Sequence, residues 1–169
     1  GNTLQNLGLL LGGLIRSKEQ TLDVTSKTEN CAYVDSRMFN TIIRNLITNA
    51  VKFTPKGGRI ALTAWQSGGK IYVSVEDNGV GMSQETLEQI RNNGHVQSTL
   101  GTQEEKGSGL GLGLCKDYLK RINGEMEIKS ELGQGTKITI SVPASERKAE
   151  EAILHKEEGG DEHLIDKDL

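Results

Sequence analysis

Two stretches of period-two alternation fix the architecture open to this chain: GRIALTAW (Gly58 to Trp65) and KIYVSVED (Lys70 to Asp77), joined by Ser67-Gly68-Gly69. Strand-forming runs separated by a glycine turn read as an antiparallel hairpin. Alternation gives that hairpin one apolar face, and such a face needs a covering layer. The best candidate cover is the run from Arg37 to about Lys52, which has helical periodicity. Ser36 is its expected cap, after a short strand CAYVD (Cys31 to Asp35), and Thr54-Pro55 ends it.

The remaining segments extend this pattern. QTLDVTS (Gln20 to Ser26) alternates like a strand, and SQETLEQIRN (Ser83 to Asn92) reads as a helix that Ser83 starts. Asn93 to Ser108 is polar and aperiodic, and a loop of that length within a domain is usually functional. GLGLGLCKDYLKRI (Gly109 to Ile122) is a helix with glycines at its start; GEMEIKSE and GTKITISVP form a closing hairpin. The fold class is α+β: a two-layer sandwich, with a mixed, mostly antiparallel sheet carrying three helices on one face. GNTLQNLGLLLGGLIRSKEQ reads as the end of a preceding element plus an entry helix interrupted at Gly12-Gly13. The expected divisions are 1–16 as this remnant, 17–143 as the domain, and 144–169 as an acidic tail outside the core.

Charge and composition exclude several classes. The net charge is −3, with nine acidic against four basic residues from Ala144 onward, so the rest of the chain carries +2. That balance gives no sign of nucleic-acid binding. The longest apolar run, Leu7 to Ile15, has nine residues, whereas a membrane span needs roughly 20. No charged start followed by a small-residue cleavage site is visible. Cys31 and Cys115 lack a CxxC partner and read as reduced thiols.

Three stretches carry chemistry. In RNLITNAVKF (Arg44 to Phe53), Asn45, Asn49 and Lys52 fall within roughly 60° of one another on the helix, beside an apolar face of Phe39, Ile43, Leu46, Ile47 and Ala50. Asparagine is a poor helix former, so two of them one turn apart call for a reason beyond packing. Amide oxygens are hard ligands suited to Mg²⁺, and a lysine one turn on suits phosphate; a solvated polar face is the plain alternative. In EDNGVGMS (Glu76 to Ser83) a carboxylate ends a strand, Asn78-Gly79 turns, and Gly81 permits close backbone approach. That turn serves geometry alone, or else holds Asp77 to accept from an amino group beside a flat ligand. In EKGSGLGLGLCK (Glu105 to Lys116), Gly107, Gly109, Gly111 and Gly113 alternate where a helix begins, and helix starts attract anions. Neither GxxxxGK[ST] nor GxGxxG after a strand is present.

In this order and spacing, RNLITNAVKFTPKGG, DNGVGM, GSGLGLGL and GQGTKITISVP resemble the N, G1, G2 and G3 boxes of the ATP-binding catalytic domain of sensor histidine kinases, whose superfamily includes DNA gyrase and Hsp90. The resemblance covers roughly Ser17 to Pro143. It implies that Asp77 accepts from the adenine amino group, with Gly79, Gly81 and Thr136 lining that pocket. Asn49 would bind Mg²⁺ and Asn45 the phosphate–metal region. Lys52 would reach a phosphate, and Phe53 would lie next to the nucleotide. Asn93 to Ser108 would be a flexible ATP lid, with Lys106 near its end as a candidate phosphate contact. The backbone at Gly107, Gly109, Leu110 and Gly111 would cradle the phosphates. Two departures are plain: the lid lacks Phe-x-x-Phe, and Asn123-Gly124 replaces Gly-Gly after the G2 helix.

The implied function is transfer of the γ-phosphoryl group of Mg-ATP to a histidine on a separate dimerisation hairpin. None of His95, His155 or His163 sits in an acceptor motif, so the chain reads as a catalytic domain without its own acceptor. Asn45 stands where gyrase-like ATPases carry a glutamate base, which favours a kinase over a hydrolase; Asn45 and Lys52 are the catalytic candidates. Implied partners are the hairpin of the parent kinase and a response regulator receiver domain. No nucleic acid or direct membrane contact is implied; the isolated domain would be a cytoplasmic monomer, whether or not the parent is anchored in the inner membrane. The alternatives are a nucleotide-binding docking module and a serine kinase of the anti-sigma-factor type.

Overall fold

The computed structural model describes residues 3–28, 30–93, 101–103, 109–148 and 164–165. The element order is α1 (Thr3–Ser17), β1 (Thr21–Lys27), β2 (Asn30–Tyr33), α2 (Ser36–Phe53), β3 (Arg59–Ser67), β4 (Lys70–Asp77), α3 (Gln84–Asn93), α4 (Gly111–Arg121), β5 (Glu125–Glu131), β6 (Gly135–Lys148) and β7 (Leu164–Ile165). The sheet runs β1-β3-β4-β6-β2-β7, with β5 on β6. Only the β1–β3 pair is parallel among these described strands.

Register explains how alternation becomes one apolar face. Leu62 pairs with Val75, Val75 with Ile138, and Ile138 with Ile128, so this row across the sheet is apolar on one side. The buried residues Ile60, Leu62, Ala64, Ile71, Val73, Ile140 and Val142 lie on that face, where α2 supplies Phe39, Ile42, Ile43, Leu46, Ile47, Ala50 and Val51. Helix α4 adds Cys115 and Leu119 to the same core. The opposite face carries Lys70–Glu125 and Lys137–Glu76 ion pairs and the stacked Trp65–Tyr72 pair. The α+β sandwich expected from the sequence is the fold observed.

Four local expectations are corrected. Asp35, not Ser36, caps α2: its Oδ1 accepts from the Arg37 and Met38 amides at 2.8 and 3.1 Å. Both residues can cap; strand β2 stops at Tyr33, which leaves Asp35 with the extended backbone that a cap needs. Gly12-Gly13 does not interrupt α1, because Leu4 and Ile15 are buried in the core and outweigh about 1 kcal/mol of lost propensity per glycine. Those two side chains bring residues ahead of Ser17 into the core. At the other end, β6 continues past Pro143 to Lys148, where Ala144 pairs with Ala32 and Ser145 is buried. Leu164 and Ile165, within the acidic tail, pair with β2. Asn123 adopts φ of 54°, a left-handed conformation that asparagine tolerates better than most residues, which explains how it stands in place of a glycine.

Candidate nucleotide site

The apolar face ends in a polar row. Ile60 pairs with Asp77, Asp77 with Thr136, and Thr136 with Ser130. Alternation thus aims the Asp77 carboxylate at the helix side, where the core gives way to the end of α2. Burial is the main cause that pushes Asp77 up from 3.8 to about 6, while the backbone amides of Gly79 and Thr136 pull it down. The Gly79 amide donates to Asp77 Oδ1 at 2.8 Å.

The turn after Asp77 is fastened on three sides. The Val80 amide donates to Phe53 O at 3.0 Å, which ties the turn to the end of α2. Asn78 Oδ1 accepts from the Arg59 amide at 2.8 Å. Gly133 N donates to Val80 O at 2.9 Å and Met82 N to Ser130 Oγ at 2.8 Å. Chains approach so closely here that side chains are excluded. A Cβ on Gly81 would lie 1.9 Å from Glu131 O, and one on Gly135 2.0 Å from Asp77 O; both have positive φ, 67° and 93°. A Cβ on Gly79 would lie 2.3 Å from Phe53 O.

Helix α2 brings Asn45, Asn49, Lys52 and Phe53 along one half-buried edge. Lys52 Nζ sits 4.6 Å from the centroid of the Phe53 ring. Asn45 faces the start of α4: its Oδ1 lies 3.8 Å from the Cβ position of Gly111, and its side chain hydrogen-bonds the Cys115 thiol. Burial pushes that thiol up to about 11, which disfavours its thiolate form. The N-cap of α4 is Leu110, whose side chain cannot accept from the first-turn amides, and Gly109 before it has φ of 72°. A helix start without a side-chain cap therefore lies near Asn45 of α2. Among the described residues no group of His, Cys, Asp and Glu could hold a metal by itself.

The structure thus brings Asn45 to Gly111, Phe53 to Gly79 and Asp77 to Thr136; Asn49 and Lys52 share the α2 edge with Asn45, Gly81 follows Gly79 in the turn, and Gly109 and Leu110 precede Gly111. Lys106 and Gly107 lie outside the described residues, as does most of the expected lid. Its part at residues 101–103 is tethered: Thr102 N donates to Lys52 O at 3.1 Å.

Three residues here escaped the sequence reading. Lys18, 1% exposed, donates from Nζ to Val51 O, Lys52 O and Thr102 Oγ1. Gln20 donates to Val51 O and Thr54 O. Ser130 contacts Met82, Gly135 and Thr136. A buried-side lysine just after a helix is the one signal that could have marked the first; nothing local marks the others.

Residues 34–146 match the family described as histidine kinase-, DNA gyrase B-, and HSP90-like ATPase. Histidine protein kinase DivJ of Caulobacter vibrioides is 39% identical over 109 residues, 64% of this chain and 18% of that protein. Sensor protein EvgS of Escherichia coli O157:H7 is 32% identical over 164 residues, 89% of this chain and 14% of that protein. Sensor protein SrrB of Staphylococcus aureus is 32% identical over 112 residues, 66% of this chain and 19% of that protein. The chain therefore spans less than a fifth of the length of these curated relatives. In fold it is similar to the catalytic domain of histidine kinase ThkA, with TM-score 0.70 and 23% identity over 83% of this chain and 90% of that one. It is also similar to full-length ShkA in complex with AMPPNP, with TM-score 0.71 and 24% identity over 86% of this chain and 30% of that one. No helix among the described residues is long and apolar enough to cross a membrane.

Proposed function

This chain belongs to the family of histidine kinase-, DNA gyrase B- and HSP90-like ATPases, and we propose that it is the catalytic domain of a sensor histidine kinase, binding Mg-ATP and passing the γ-phosphoryl group to a histidine outside this chain. The observation that carries this reading is the Asp77–Thr136 pair at the end of the helix-facing row, fixed beside three glycines where neighbouring backbone packs too close for any Cβ.

From that pair the chemistry extends toward α4. Asp77, ionised above about pH 6, accepts from an exocyclic amino group. Phe53 and the Gly79–Gly81 backbone bound the base. The α4 start, with Gly109, Leu110 and Gly111, offers amides to phosphate oxygens, and Lys52 leaves the Phe53 ring to add a point charge. Lys106 and Gly107 belong to the same stretch.

The donor set suits magnesium. Mg²⁺ keeps several waters and takes one or two protein oxygens beside substrate phosphates, so a lone Asn49 amide on this edge is enough. When bound, it neutralises charge on the phosphates; Asn45 and Asn49 orient them. Asn45 cannot take a proton from water, and its place between Gly111 and Cys115 fixes it as an amide donor–acceptor rather than a base. Catalysis then rests on positioning and charge, as phosphoryl transfer requires.

The acceptor is a histidine-bearing hairpin of the parent protein and the downstream partner a response regulator receiver domain; sensor proteins among the relatives support this reading. Titration calorimetry with ATP, with and without Mg²⁺, tests binding. γ-Labelled ATP with a histidine hairpin added in trans tests transfer. Label on the hairpin but not on this chain is the expected result; label on a serine of a partner would assign the anti-sigma type instead.

A further inference from the structure

Ser130 lies outside every recognisable box, yet its hydroxyl is the hub beneath the Asp77–Thr136 pair. Three groups surround Ser130 Oγ: the Met82 amide at 2.8 Å, the Gly135 carbonyl at 2.9 Å and Thr136 Oγ1 at 2.8 Å. Proton counting leaves one arrangement in which all three contacts are hydrogen bonds. The Met82 amide can only donate. The Gly135 carbonyl can only accept, so it takes the single Ser130 proton. The contact to Thr136 then exists only if Thr136 donates. Its hydroxyl proton is thereby committed away from the pocket, and Thr136 Oγ1 has only lone pairs left to present. Across the strand pair, the Asp77 carboxylate is likewise an acceptor, already oriented by the Gly79 amide.

We infer that Ser130 is a positioning residue that, by taking the Thr136 proton, keeps this end of the pocket acceptor-only and so discriminates a 6-amino purine from a 6-oxo purine. The inference rests on the nucleotide reading above and adds to it the residue that sets hydrogen-bond polarity. A 6-amino group meets two acceptors and satisfies them. A 6-oxo group meets two acceptors and no donor, which leaves buried polar atoms unpaired. Without Ser130, the Thr136 hydroxyl is free to turn and donate to the oxo oxygen.

The test measures ADP and IDP affinity by calorimetry at pH 8, with the full chain and its Ser130→Ala, Ser130→Thr, Thr136→Val and Ser130→Ala/Thr136→Val variants. Wild type favours ADP. Ser130→Ala narrows the ADP-to-IDP ratio by about fivefold, mainly through tighter IDP binding. Ser130→Thr, which keeps the hydroxyl, restores the ratio. With Thr136→Val in place, adding Ser130→Ala leaves the ratio where it was. An unchanged ratio in Ser130→Ala overturns the inference, and so does an equal change with and without the Thr136 hydroxyl, which would mark Ser130 as merely structural. Wild type that binds ADP in either case keeps the nucleotide reading intact; wild type that binds neither nucleotide overturns both.

Discussion

The Lys18 ammonium lies 2.7 Å from Thr102 Oγ1, and its other two donors meet Val51 O at 2.8 Å and Lys52 O at 3.1 Å. A fully buried lysine thus joins the residue after α1, the last turn of α2 and the segment 101–103. The carbonyls it serves are at the negative end of α2, where a cation is favoured. Lys18→Met keeps the aliphatic stem but removes three donors, leaving Val51 O to Gln20 and Lys52 O to Thr102 N. It should cost about 2 kcal/mol, a fall in Tm of roughly 5 °C by calorimetry. Because Lys52 is the proposed phosphate-side lysine and Thr102 is tied to it, ATP affinity should drop more than adenosine affinity. Equal losses for both ligands would remove the link to the phosphate side.

Ionised Asp77 is held at a cost to stability. Its folded value, about 6, lies above 3.8, so the folded chain holds the proton more tightly than the unfolded chain does. The sign follows: the Asp77 contribution is neutral at low pH, becomes destabilising as pH rises from about 4 to about 6, and stays constant above. At this half-buried site the penalty is about 2 kcal/mol once solvent screening is allowed for. Asp77→Asn should therefore raise the Tm of the ligand-free domain at pH 8 by about 5 °C while abolishing ATP binding. A lower Tm together with intact binding would be the contrary result.

The same titration governs the base pocket. Protonated Asp77 cannot accept from an amino group in the orientation it now holds, so base affinity should fall below pH 6 by up to tenfold per pH unit. Adenosine, observed by NMR titration from pH 8 to 5, isolates this effect from phosphate ionisation. A flat profile would mean that the carboxylate does not read the base.

Glycine substitutions separate close approach from backbone conformation. Gly81→Ala combines φ of 67° with a Cβ 1.9 Å from Glu131 O, so the turn must move. A loss of 3 kcal/mol or more, on the order expected for such strain, should accompany loss of ATP binding. Gly133→Ala has φ of 76° but open space around its Cβ position. It should cost only about 1 kcal/mol and leave ATP affinity within roughly twofold. Urea unfolding of the two variants side by side decides the point.

Asn49 is assigned the metal-facing amide. Asn49→Ala should weaken Mg-ATP by about tenfold while metal-free ATP changes little. Matched titrations with Mg²⁺ and with EDTA check this, and equal losses in both would transfer Asn49 to a purely structural role.

Sequence alone determined whatever depends on local period and on backbone chemistry. The alternation in β3 and β4, the amide stripe of α2, the Asp-Asn-Gly turn and the glycines before α4 each declare themselves within a few residues, because strand and helix periods sort side chains onto faces before any partner is known. Tertiary structure decided which residue stands across from which. Asp35 rather than Ser36 caps α2 because β2 stops early. Leu4 and Ile15 carry α1 through two glycines because a core is there to receive them. Lys18 meets Val51 from 33 positions away and Ser130 meets Met82 from 48. No short-range pattern encodes such pairings: a hydroxyl or an ammonium reads as surface polarity until the fold removes water from around it, and only then must every proton find an acceptor.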